Sequence, residues 1–124
     1  MREILFSNLA NRELDKFIAE GIGLEGVAWK PTPFEITPAL IYEGKTELPC
    51  PVPYFSAEKD TAFLLLEKIR ERAQTLVVTW ERGEKWDVCL KTLDGVVFTA
   101  SHKEYARTVA LVVCDFFAHS RKEK

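Results

Sequence analysis

The chain has 124 residues, 47% of them hydrophobic, which suffices for one domain around one contiguous core and argues against a second. Seventeen Lys and Arg stand against nineteen Asp and Glu, a formal charge of -2 with both signs scattered, so the balance implies neither a nucleic-acid footprint nor a basic partner. The opening "MREILFSNLANRELD" has no continuous apolar stretch, and runs such as "VALVVC" are stopped by Asp115, so neither a leader nor a membrane span is expected and the cytoplasm is the expected location.

In chain order, the first periodic segment is "NRELDKFIAEG". Asn11 is an expected N-cap, Leu14, Phe17 and Ile18 share a stripe, and Gly21 is placed to stop the helix, which predicts an amphipathic helix over residues 9–20. From residue 22 to 55 the pattern changes, because all six prolines fall here and each removes a backbone donor. This is a long Pro-rich connector in which residues 39–42 read as a strand and 43–45 as the turn after it, with a strand or hairpin near 39–48. In "PCPVPYFSAEKD" the prolines push Cys50 and Val52 toward extended conformations and stiffen the segment. Ser56 is then expected to cap a helix over 57–73, with Ala62, Phe63, Leu65, Leu66, Ile69 and Ala73 inward and Leu64 alone among the charges.

Three strands follow, "TLVVTWE", "KWDVCLK" and "GVVFTAS", over 75–81, 85–92 and 95–101, joined by short turns into an antiparallel meander. Leu76, Val78, Trp80, Trp86, Val88, Leu90, Val96, Phe98 and Ala100 form the apolar face by period two. The other face, with Val77, Thr79, Asp87, Cys89, Lys91, Val97 and Thr99, is mixed. The last helix, over 102–119, starts from a capping box of Ser101 and Glu104 and carries an apolar arc of about 160°, with Lys103, Arg107, Thr108 and Asp115 opposite.

The order and residues of "NRELDKFIAE", "PVPYFSAEKDTAFLLLEKIRE", "LVVTWERGEKWDVCLKT" and "ASHKEYARTVALVVCDFF" resemble the phage ABA sandwich domain family, small proteins of tailed bacteriophages and prophages. The resemblance implies an α+β fold of α/β/α layers, with Val77, Cys89 and Val97 receiving the short first helix. It also implies a viral context in a bacterial host cell, and it carries no activity. The segment from Leu24 to Leu48 is longer than the family pattern.

Residue chemistry points away from catalysis. Cys50, Cys89 and Cys114 are odd in number and widely spaced, as reduced thiols are, and with no C-x-x-C and only His102 and His119 to assist, no metal site or cofactor is expected. Cys114 and His119 lie about 140° apart around one helix, and Ser101 and His102 point apart as neighbours. What remains is binding. Trp29, Tyr42 and Tyr54 sit in or beside the Pro-rich connector, where aromatic side chains on a stiff backbone contact a partner at little ordering cost, unless they fold back onto the sheet. The partner expected first is a host protein. The alternative is a small molecule such as a nucleotide signal held by Lys91, Arg107 or His102, with a homo-oligomer left open and an enzyme third.

Overall fold

The computed structural model describes residues 6–31, 38–44, 50–82 and 85–122. The fold is α+β: three helices, α1 (Asn11–Gly21), α2 (Lys59–Ile69) and α3 (Tyr105–Lys122), with two three-stranded antiparallel sheets. The expected meander is present as β4 (Ala73–Glu81), β5 (Lys85–Thr92) and β6 (Val97–His102). A smaller sheet precedes it in the Pro-rich connector, built from β1 (Ala28–Lys30), β2 (Ala39–Tyr42) and β3 (Cys50–Pro51) in that spatial order. The strand expected at 39–42 is therefore central to its own sheet, and Gly44 turns the chain after it at φ 43°. Residues 45–48 of the expected hairpin lie outside the described residues.

Each helix begins two or three residues later than its expected span, and in each case the residue expected to cap it is engaged elsewhere. Asn11 is the first residue of α1 rather than its cap, because its side-chain oxygen accepts from Arg107 of α3; the Ala10 N–H donates instead to Glu13 Oε1 at 3.2 Å. Ser56 lies buried against α1, so α2 starts after an extended Glu58 and stops at Ile69, beyond which residues 70–72 form a 3-10 turn into β4. Ser101 bonds to Asp87 across the sheet and stays in β6; the start of α3 is served by His102 Nδ1, which accepts from the Glu104 N–H at 3.0 Å.

The layers are meander, α3, then α1 and α2. α3 lies over β5 and β6 and receives the other two helices on its far side, so it is enclosed on almost its whole circumference. That explains why Thr108, expected to face water, is buried and bonds the Glu104 carbonyl at 2.7 Å. A helix apolar or satisfied all round belongs inside. The first helix does not cover Val77 and Val97, which remain 47% and 53% exposed. It is held to α3 by the Asn11–Arg107 bond and by Gly21, where a Cβ would come within 2.4 Å of the Phe117 ring.

The inward face of the meander follows the expected period. Leu90 pairs with Phe98 and Val88 with Ala100, and Trp86 meets Tyr105 of α3 at 5.0 Å between ring centroids. Three residues depart from it, Val78, Trp80 and Val96, and Val78 is 38% exposed. Val96 belongs to the turn, where its N–H donates to Thr92 Oγ1, and Trp80 is 55% exposed because α3 crosses β5 and β6 and leaves β4 beyond its edge. Phe63, expected inward, is also half exposed, since the buried stripe of α2 narrows to Ala62, Leu65, Leu66 and Ile69. Among the described residues no helix is long and apolar enough to cross a membrane.

Two outcomes follow from this packing. Gly21→Ala should destabilise the fold by about 1–3 kcal/mol through overpacking against Phe117, read as a drop of several degrees in Tm by calorimetry. Cys114 is fully buried and burial pushes its thiol pKa far up, so it should resist alkylation in the native protein, while the half-buried Cys50 and Cys89 are modified; peptide mass spectrometry locates the label.

Candidate functional site

The Pro-rich connector is fixed to α1 by one carboxylate. Asp15 occupies the buried face of α1 beside Leu14, Ile18 and Ala19, and has no exposed surface. Its Oδ1 accepts from the Ser56 N–H at 2.9 Å and lies 2.8 Å from the Ser56 hydroxyl, which is also 2.9 Å from the Asn11 carbonyl and shares its single proton between them. Its Oδ2 accepts from Arg12 Nη1 at 2.7 Å. Burial raises the Asp15 pKa above the ordinary carboxylate value, against the opposing pull of Ser56 and Arg12.

Arg12 extends the same cluster outward. Nη1 also reaches the Pro53 carbonyl at 3.3 Å, and Nη2 donates to the carbonyls of Val52 and Leu40 at 2.9 and 3.4 Å. Prolines 51 and 53 supply no N–H of their own, so this stretch has carbonyls in excess of donors, and the guanidinium satisfies them. The Tyr54 ring then stacks on the guanidinium, with Cζ 3.9 Å from the ring centroid. On the inner side of the same stretch Val52 and Phe55 enter the core.

A groove of about 590 Å³ opens over this anchor, lined by Arg12, Trp29, Pro38, Leu40, Pro51 and Tyr54, with Ala39 between them. Trp29 lies opposite Leu40 in the small sheet and is 41% exposed, and Tyr54 is 47% exposed. Two of the three aromatic residues singled out in the sequence thus meet at one surface. Tyr42 does not join them: it pairs with Cys50 in the sheet, is half buried and packs against the core.

The described lining of the groove is electrically quiet. Among the described lining residues the one cationic side chain, Arg12, is paired with Asp15, and both terminal nitrogens are engaged with protein acceptors. The described lining contains no carboxylate, imidazole or thiol. It therefore offers aromatic and proline surface, suited to recognition by shape and apolar contact.

The residues considered for a nucleotide are scattered. Lys91 and His102 lie near opposite ends of β5 and on opposite faces, since Lys91 pairs with Val97 and His102 with Trp86. Arg107 bonds Asn11 and, at 2.7 Å, the Leu9 carbonyl at the start of α1. Among the described residues no three His, Cys, Asp or Glu side chains are grouped to hold a metal ion.

Sequence reasoning missed the Asp15 cluster. The signal was present: Asp15 stands three and four positions before Ile18 and Ala19, on the helix face that must dock, where an unpaired charge would be untenable.

Removing Asp15 leaves Arg12 without its anion and the Ser56 N–H without its acceptor, so Asp15→Ala should cost about 3 kcal/mol or more in denaturant unfolding. The pH dependence has a definite sign. Because the folded pKa is raised, the folded state retains a proton that the unfolded chain has released, and the Asp15 contribution falls as pH rises from the unfolded value of 3.8 through the folded one. The stability deficit of Asp15→Asn should therefore shrink between about pH 3 and about pH 7 in urea titrations; a deficit growing with pH would mean that Arg12 attraction outweighs desolvation. Compared with known proteins, the chain matches no family model and no curated sequence.

Proposed function

We propose that the protein is a non-enzymatic phage or prophage accessory protein that acts in the bacterial cytoplasm by binding a host protein through the Trp29–Tyr54 groove. One observation carries the binding site: two half-exposed aromatic side chains stand over an anchor whose charge is already paired. A groove of this kind favours an extended, apolar or proline-bearing segment of a partner, because such segments dock on aromatic surfaces with little conformational entropy to lose. It disfavours a phosphate-bearing ligand, which needs donors that Arg12 has committed to Asp15 and to three carbonyls. The phage context rests on the resemblance of the N-R-E-L-D and P-Y-x-S segments, and those segments supply Arg12, Asp15, Tyr54 and Ser56 of the anchor.

The test is capture from a bacterial lysate with the intact chain and three variants. Wild type and Leu93→Ala, altered at an exposed turn residue, should retain the same stoichiometric host protein, whereas Trp29→Ala and Tyr54→Ala should each weaken capture at least tenfold. Capture that survives both aromatic replacements, or a cyclic nucleotide retained in native mass spectrometry in place of any protein, contradicts the reading.

A further inference from the structure

The outer edge of the meander points to a second copy of this chain. β4 is the longest strand among the described residues, nine residues, and it lies at the edge of its described sheet. No strand among the described residues pairs with its outward side. Edge strands of that length are ordinarily kept apart by a lysine, a proline or an inward-pointing charge. Between Ala73 and Trp80 β4 has none of these, and its irregularity, at Ala73 and Thr75, is confined to one end.

The side chains add a second, independent indication. Val78 and Trp80 belong to the inward face by register, opposite Val88 and Trp86, yet they are 38% and 55% exposed because α3 does not reach over them. On the opposite face Val77 is 47% exposed. Among the described residues the strand therefore presents open backbone groups and uncovered apolar side chains along the same line, as an unfilled strand position does. The other edge differs: β6 lies beneath α3, and its only exposed large apolar residue is Val97.

We infer that β4 pairs antiparallel with β4 of a second copy about a two-fold axis, joining the two meanders into one six-stranded sheet. The sequence of the strand is self-complementary for that operation. With Val78 on the axis, Val78 faces its own counterpart, Leu76 faces Trp80, Val77 faces Thr79, and Thr75 faces Glu81. Apolar residues meet apolar ones on the α3 side, and no like charges are opposed. An axis perpendicular to the sheet keeps both α3 helices on one face, so the two Leu76–Val78–Trp80 stripes merge into one apolar column between them. The groove of Trp29 and Tyr54 has no β4 residue among its described lining residues.

Sedimentation equilibrium on the full chain at about 100 µM, where a micromolar Kd leaves mostly dimer, should give twice the 14.2 kDa protomer mass. Val78→Lys sets two ammonium groups against each other on the axis and should return the protomer mass with unchanged circular dichroism, while Val97→Lys on the opposite edge should remain dimeric. If Val78→Lys does not fold, Val78→Cys decides the question, because a residue facing its own copy forms an intermolecular disulfide on mild oxidation, mapped by mass spectrometry as a linkage of position 78 to itself. A protomer mass for wild type at that concentration, a dimer that persists in folded Val78→Lys, or no such linkage in Val78→Cys would overturn the inference.

Discussion

The protein depends on a buried carboxylate in a place where helices are usually apolar. Asp15 joins α1 to a proline-rich segment some forty residues downstream, and it does so through both oxygens, one to Ser56 and one to Arg12. Burying a carboxylate is unfavourable unless its lone pairs are filled, and here two groups of Ser56 and one guanidinium fill them. Arg12 is in turn held by carbonyls of the segment that Asp15 recruits. The cluster is thus mutually dependent: the acid positions the connector, and the connector positions the base that neutralises the acid.

From that anchor the surface follows. Prolines 51 and 53 keep the connector extended, so once Ser56 is fixed, Val52 and Phe55 are delivered to the core and Tyr54 to the outside. The small sheet then brings Trp29 to the same place through its pairing with Leu40. The stiffness that the prolines confer reduces the entropy lost on folding and helps to keep the groove shaped. At the far side of the molecule a different rule operates. α3 is wide enough to cover two strands of a three-stranded sheet, and β4 is left beyond its edge.

Much of this was legible from residue order. The period-two pattern located the meander to within two residues at each strand, and the 3.6-residue pattern located all three helices, because both periodicities report which face must leave water. The boundaries were less legible for one physical reason. Asn11, Ser56 and Ser101 are ordinary capping residues, and each is drawn away by a partner distant in sequence, Arg107, Asp15 and Asp87 respectively. Local signals cannot anticipate that competition. The docking of α1 on α3 rather than on the outer face of the sheet has the same origin, since it rests on Asn11, Arg107 and the absence of a side chain at Gly21. Of the aromatic residues in the connector, Trp29 and Tyr54 reached the surface and Tyr42 turned to the core, a division set by strand register.

Amide hydrogen exchange at Ser56, followed by NMR, tests the anchor most directly. Ser56 lies outside any helix or strand, yet its N–H is buried on the Asp15 carboxylate. The account requires this amide to exchange as slowly as those of Val109 and Val112 in the enclosed helix α3, and to lose its protection selectively when Asp15 is replaced. Exchange of the Ser56 amide at the rate of an exposed loop in the wild-type protein would contradict it.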